Sequence, residues 1–225
     1  MTATDLKLAC AKAALPLIPN HATIGLGGGS TISHLINEIK QSGLDLRIVT
    51  PSQTTRENCL KKDLQVLSLQ DVSHIAIAFD GCDQVDEHFN ALKSGGAIHT
   101  KEKLIASMAD NYVLLVDETK FVPTLTFDLP VALEVLPDAM SYVRSELIHL
   151  GASVEARTSA AKDGYTRSDY GNLIIDASFA EVKNIRTLNT QLSGIRGVID
   201  TSLFVDVVSK VMVTATAGSH LYSKS

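Results

Sequence analysis

Asp80 and Asp83 stand three residues apart in "IAFDGCDQVDEH", Ile77 to His88, where an apolar run stops abruptly. Two carboxylates this close repel each other unless a cation or a ligand lies between them. Three readings are open. Asp-Gly is ordinary turn chemistry, and a turn requires nothing more. A metal site would recruit Asp86 and Glu87 as further oxygen ligands, but calcium loops place their acids at alternate positions and this run does not. A dehalogenase-type nucleophile does not join the three, because it would want its second acid two residues on, where Cys82 stands. In the third reading the pair accepts hydrogen bonds from sugar hydroxyls, and bonds to a charged acceptor are the stronger kind. Flanking carboxylates would suppress a Cys82 thiolate, so Cys82 reads as small apolar filler and not as a nucleophile.

Two further stretches carry chemistry. "GLGGGSTISHLI" follows an apolar strand and opens a helix, so free amides and a partial positive charge meet there. Ser30 and Thr31 add hydroxyls, and either would serve as a helix cap. The dinucleotide fingerprint needs Gly at position 30, where Ser30 stands; the phosphate loop of nucleotide hydrolases needs Lys at position 29, where Gly29 stands. The turn therefore suits a phosphate without indicating a nucleotide, and a plain strand-to-helix turn is the alternative. "LKSGGAIHTKEKLIASMAD" supplies Lys93, flexible glycines, and a helix from about Thr100. Lys93 lies ten residues after Asp83, near enough to neutralise the acid pair. Glu102 falls in the first helical turn, where the dipole, with Lys101 and Lys103 if near, favours the carboxylate and desolvation opposes it. Alone, Glu102 reads as a solvated glutamate, and His99 as a packed or surface histidine.

The elements that must position these residues alternate. "ATIGLG", "LRIVTP", "LQVLSL", "HIAIAFD" and "YVLLVDE" read as strands, and "STISHLINEIKQSG" and "TTRENCLKKD" as amphipathic helices. Ile32, Leu35, Ile36 and Ile39 share one helix face. Nearly continuous apolar strands predict a parallel sheet covered on both faces. Past "KFVPTLTFDLPVALEVLP" the order becomes strand-helix-strand-strand-helix-strand, with a helix closed by Gly151, a turn-rich run over 159–172 and a helix over about 181–192. The expectation is a Rossmann-like doubly wound α/β domain over 1–127 plus 206–225, with "KVMVTATAG" returning a strand to it. A smaller ferredoxin-like α+β domain takes 128–205. Ligands of such sheets bind beyond the carboxyl ends of the strands.

The 225 residues carry 20 Lys and Arg against 25 Asp and Glu, and the basic residues are scattered, which argues against a nucleic-acid partner. The acidic start "MTATDLKLAC" and the interruptions at Lys12 and Pro16 do not make an export signal, and no apolar run is long enough to span a membrane. Cys10, Cys59 and Cys82 have no metal-like spacing and read as reduced thiols in a cytoplasmic protein.

Taken together, "GLGGGST", "DGCDQ" and "KSGGAIHTKEK" resemble the motifs of the type A ribose-5-phosphate isomerase family, G-x-G-T-G-S-T, D-G-A-D-E and K-G-G-G-G-A-L-T-R-E-K. The resemblance runs over nearly the whole chain, including "LPVALEVLP" at the lead-in to the second domain. It implies that Glu102 is the general acid/base and that Asp80 and Asp83 hold sugar hydroxyls and help open the ring. Lys93 belongs to a loop over the substrate with Ser94, Gly95 and Gly96, and Gly81 and Cys82 line the acidic end. Gly28, Gly29, Ser30 and Thr31 form the phosphate-side turn, with Lys120 and Lys7 as further binding lysines. It also implies a phosphorylated pentose as substrate, no metal or organic cofactor, and a homodimer or homotetramer.

Departures from those motifs are Gly28 for Thr, Cys82 for Ala, Gln84 for Glu, Ser94 for Gly and Lys101 for Arg. They lose a hydroxyl, a charge, some loop freedom and a planar fork, and leave the inferred base intact. The expected reaction moves a proton from C2 to C1 of the sugar through an enediolate. A silent sugar-phosphate binder and an acyl-CoA transferase with a glutamate nucleophile are the competing readings.

Overall fold

A computed structural model describes residues 2–224. Helix α1 (Ala3–Ala14) precedes β1 (Thr23–Leu26), α2 (Ser30–Ser42), β2 (Arg47–Val49), α3 (Gln53–Leu60), β3 (Gln65–Val66) and β4 (Ile77–Asp80). Next come β5 (Gln84–Asp86), β6 (Ala91–Leu92), α4 (His99–Met108), β7 (Tyr112–Asp117) and β8 (Phe121–Val122). The chain continues through β9 (Val131–Val135), α5 (Met140–His149), β10 (Ser153–Ala156), β11 (Thr158–Ser159), β12 (Lys162–Tyr165), β13 (Leu173–Ser178), α6 (Ile185–Gly194), β14 (Val198–Thr201) and β15 (Leu203–Phe204). The hairpin β16 (Lys210–Ala215) and β17 (Gly218–Ser223) ends it. No helix among the described residues is long and apolar enough to cross a membrane.

The main sheet has the order β17-β16-β7-β4-β1-β2-β3, parallel throughout except for the β16–β17 hairpin. Both faces are covered, because successive strand residues point opposite ways. Phe79, Val113 and Leu115 join the core beneath α1 and α2, whereas Ala78, Leu114 and Val116 join the core that Ile105 of α4 closes. Helix α2 buries Ile32, Leu35, Ile36 and Ile39, the four positions on one face in the sequence, each contributing about 2 kcal/mol of burial. Gly43, at φ 71°, ends the helix in the left-handed conformation.

The chain leaves β1 toward β2 and β3 on one side, then returns to β4 on the other. The crevice of a doubly wound sheet opens where strand order reverses, here at the carboxyl ends of β1 and β4. Those ends carry Gly27 and Asp80.

A second sheet, β10-β13-β9-β14, is antiparallel throughout and carries α5 and α6, the ferredoxin-like order expected. The turn-rich run is more regular than it reads, since β11 and β12 pair as a hairpin within it. The helix expected from about 181 begins instead at Ile185, where the Asn184 side chain accepts from the Thr187 amide. A third sheet, β15-β6-β5-β8, knits the two larger ones together: Leu203 pairs with Leu92 and Val85 with Phe121. Its strands of two or three residues are too short for any periodicity to announce them. We propose the domain borders in the β8–β9 and β15–β16 connections, at 127–128 and 205–206.

Candidate active site

A cleft of about 330 Å³ lies over the β1–β4 crevice. Of the sequence-derived candidates, Lys7, Gly28, Gly29, Ser30, Thr31, Gly81, Cys82, Gly95, Gly96 and Lys120 line it with Asp80, Asp83, Lys93 and Glu102. Ser94 does not.

At one end, α2 begins with Gly29 as its N-cap residue, and no side chain caps it. Ser30 and Thr31 therefore do not act as caps, because they already lie inside the first turn. Their amides have no acceptor within the helix, and the uncapped end of a helix of 13 residues presents them to the cleft. Gly29 takes φ 93°, a conformation that favours glycine. Gly27 is required for another reason. A Cβ there would lie 1.9 Å from Asp80 Oδ1, so the missing side chain is the space the Asp80 carboxylate occupies.

Asp80 ends β4 almost fully buried. Its Oδ1 accepts from the amides of Gly81 (2.8 Å) and Gly28 (3.3 Å). Its Oδ2 accepts from the Tyr112 hydroxyl and pairs with Lys93 Nζ, both at 3.1 Å. Protein donors thus fill both oxygens. Asp83 differs. Its Oδ2 takes the amides of Ser94 (2.7 Å) and Gly95 (3.1 Å), while Oδ1 accepts nothing from the described residues and stays available.

Lys93 Nζ spends its three protons on Asp80, on the Gly81 carbonyl and on Glu102 Oε1 at 3.3 Å. Burial favours the neutral amine, but the two carboxylates outweigh it and hold the Lys93 pKa above its ordinary value. Glu102 lies in the first turn of α4, buried rather than solvated. Burial, opposed by Lys93 and reinforced by Asp80, pushes its pKa up to about 8. Lys101 and Lys103 do not assist it, since they turn away to Asp169 and Asp200. His99 is packed inside, and burial with the nearby Lys103 charge lowers its pKa to about 4. Burial raises the Cys82 thiol to about 12; the flanking Asp83 and Asp80 push it the same way, as the sequence argument has it, but burial is the larger cause. Asp86 folds onto its own turn, accepting from the His88 (3.0 Å) and Asn90 (2.9 Å) amides, which removes it from any ligand set with Glu87.

Three residues that sequence reasoning missed hold these groups. Tyr112 comes from β7, whose register beside β4 points its hydroxyl at Asp80. Arg157, just after β10, pairs with Asp176 and donates to the carbonyls of Ser94 (2.8 Å) and Gly95 (3.2 Å). The amides of the same two residues donate to Asp83. Ser94 Oγ donates to the Pro130 carbonyl at 2.5 Å, so this side chain anchors the loop and faces away from the cleft. Glu134 on β9 accepts from Thr100 at the start of α4 and from Ser168 and Asn172. Burial opposes its ionised form, but these donors prevail and hold its pKa below the ordinary value. None of the three carries a local signal, because each contact joins segments far apart in the chain.

This arrangement offers an anion seat, a free carboxylate oxygen, a buried ammonium and a carboxylate of raised basicity around one cleft. The sequence pattern of the family described as ribose 5-phosphate isomerase A (phosphoriboisomerase A) matches residues 47–218. The ribose-5-phosphate isomerase A of Thermococcus kodakarensis is 36% identical over 223 residues, covering 97% of each chain. The protein of the same name from Pyrococcus furiosus is 35% identical over the same share. The solved ribose 5-phosphate isomerase A of Methanocaldococcus jannaschii has a TM-score of 0.92 at 31% identity, over 99% of this chain and 100% of that one. A D-ribose-5-phosphate isomerase solved in complex with phospho-erythronic acid reaches 0.93 at 33%, over 100% of both chains. Sequence and backbone agree over nearly the full length, and the chain belongs to the ribose 5-phosphate isomerase A family.

Proposed function

We propose that the cleft interconverts D-ribose 5-phosphate and D-ribulose 5-phosphate, with Glu102 carrying the proton between C2 and C1. The observation that carries this reading is the contact of Glu102 with Lys93, 3.3 Å apart and buried at the cleft floor. A C2 proton is only weakly acidic, so its removal needs a base of raised pKa and a positive charge beside the oxygen that becomes negative. Glu102 has the first property, and Lys93 supplies the second. Its ammonium is held charged by Asp80 and requires no reorganisation as the enediolate forms.

The two aspartates divide their work. Asp83, with Oδ1 free, accepts from a sugar hydroxyl and assists ring opening. Asp80, with both oxygens taken, positions Lys93. The phosphate sits on the Gly28–Thr31 turn with Lys7 and Lys120 nearby, and binding there orients the reacting end. The solved relative bound to phospho-erythronic acid supports this reading. That ligand joins a planar carboxylate to a phosphate through a short polyol, and the carboxylate stands in for the planar, negatively charged enediolate group of a phosphorylated pentose.

The test is turnover of ribose 5-phosphate by the purified protein in heavy water. Ribulose 5-phosphate should accumulate, with deuterium entering at the reacting carbon. Binding of the sugar phosphate without interconversion would overturn the enzymatic reading in favour of a silent binder.

A further inference from the structure

We propose that Tyr112 is a positioning residue for the isomerisation: its hydroxyl satisfies Asp80 from behind, so that the Lys93 ammonium stays shared between Asp80 and Glu102. The inference rests on the reaction proposed above, yet its geometry stands apart from it.

Tyr112 does not touch the cleft. It lies in the sheet interior, 2% exposed, with its ring stacked on Phe204 at 6.1 Å between centroids. Phe204 in turn lies beneath Lys93, 5.8 Å from Nζ to the ring centre. The tyrosine, the aromatic floor and the ammonium therefore form one packed unit, and the hydroxyl has one acceptor, Asp80 Oδ2 at 3.1 Å. A phenylalanine would fill the same space and leave that oxygen to Lys93 alone.

A carboxylate draws harder on its remaining donors when one is removed, most of all in a dry site. Lys93 lies 3.1 Å from Asp80 and 3.3 Å from Glu102, so a small displacement toward the aspartate lengthens the contact with the base. Lys93 is the group that restrains the proton affinity of Glu102. Weakening that contact makes Glu102 harder to ionise and leaves the enediolate oxygen with a more distant cation. The hydroxyl remains a proton donor throughout, because burial and the Asp80 charge raise the Tyr112 pKa well above the ordinary value.

The titratable groups facing this unit are Asp80, Cys82, Lys93 and Glu102. Lys103 lies under the same Phe204 ring, but its charge is engaged by Asp200 at 2.5 Å. Cys82 stays protonated, so the ionising partners reduce to Asp80, Lys93 and Glu102.

The test is Tyr112→Phe, read first in the free protein by carbon-13 NMR titration of the Glu102 carboxyl. Its titration should move to higher pH than in the parent, and an unchanged or lower midpoint would overturn the proposal. The second readout is turnover. Loss of one hydrogen bond to a charged acceptor should lower kcat by about tenfold at neutral pH, with KM within about twofold. The acid limb of the kcat profile should shift the same way as the carboxyl titration. An unaltered kcat and limb would overturn the proposal even if stability fell, because a purely structural tyrosine would change the melting temperature alone. Incorporating 3-fluorotyrosine at position 112 strengthens the donor without removing it, and should move both readouts toward lower pH. If the parent itself shows no turnover, the isomerase reading fails, and the carboxyl titration still decides whether Tyr112 governs the Lys93–Glu102 contact.

Discussion

Adjacent glycines in the β1–α2 turn should respond to substitution very differently. An alanine Cβ at position 27 would lie 1.9 Å from Asp80 Oδ1 and 2.0 Å from its carboxyl carbon. Ordinary contact at about 3.5 Å then demands a displacement of roughly 1.5 Å. The backbone of Gly27 cannot give way easily. Its amide donates to the Phe79 carbonyl at 2.8 Å, and its carbonyl accepts from Thr55 Oγ1 at 2.7 Å. The carboxylate must move instead. Its four contacts lie between 2.8 and 3.3 Å, so a shift of that size breaks most of them and strands Lys93. Disrupting a buried charge pair costs about 3–5 kcal/mol. Gly27→Ala should therefore lose that much stability in a urea titration and most of its turnover. At position 28 a Cβ would meet Ser52 at 3.7 Å, an ordinary contact, and φ there is not left-handed. Gly28→Thr should stay within about 0.5 kcal/mol of the parent and remain active. A Gly27→Ala protein matching the parent in both assays would refute the claim that this glycine makes room for Asp80.

Other outcomes follow from the same geometry. Glu102→Gln should keep sugar-phosphate binding by calorimetry while kcat falls by about a hundredfold or more; near-parent turnover removes Glu102 from the reaction. Because the folded pKa of Glu102 is raised to about 8 from 4.5, its stabilising contribution is complete below pH 4.5 and is lost as pH rises through 8. Glu102→Gln should accordingly gain on the parent in denaturant midpoint between pH 5 and pH 8, and a gap independent of pH would contradict the assignment. Arg157→Ala should raise KM and speed hydrogen exchange at the Ser94 and Gly95 amides, since both carbonyls lose their donor; unchanged exchange there would show that the loop holds without it. Cys82, buried and raised to about 12, should resist alkylation at pH 8 in the native protein and react only after unfolding.

What could be read from the sequence is what depends on near neighbours. The apolar stripe of α2 appears within a dozen residues, because helical spacing alone puts Ile32, Leu35, Ile36 and Ile39 on one face. The parallel strands announce themselves as short apolar runs because both faces of the sheet are covered. The acid pair, the lysine loop and the glutamate each sit in a compact motif with few ways to be arranged, and those motifs meet at the point where strand order reverses. Helix α1 was not legible: alanine, leucine and cysteine alternate with lysine there, and its burial is set by α2 and β16 packed against it. The hairpin at 158–165 hides in a polar run that turn chemistry describes equally well.

The remaining misreadings share a physical origin. Sequence reasoning read the Gly-rich turn as a seat for a phosphate, and the anion nearest to Gly27 is the protein's own Asp80. It treated Ser94 as a stiffer link, whereas the hydroxyl anchors the loop to Pro130 across the fold. It paired Asp80 with Asp83 as equals, although one is saturated by protein donors and the other keeps an oxygen free. A local motif states which groups are present at a site, but the occupancy of their lone pairs is decided by strands and loops that arrive from elsewhere. In this cleft that distinction separates a carboxylate whose two oxygens are both engaged, one of them by Lys93, from one that keeps an oxygen free. Asp80→Asn and Asp83→Asn should therefore fail differently, the first through kcat as Lys93 loses its counter-charge and the second through KM as a substrate contact is lost.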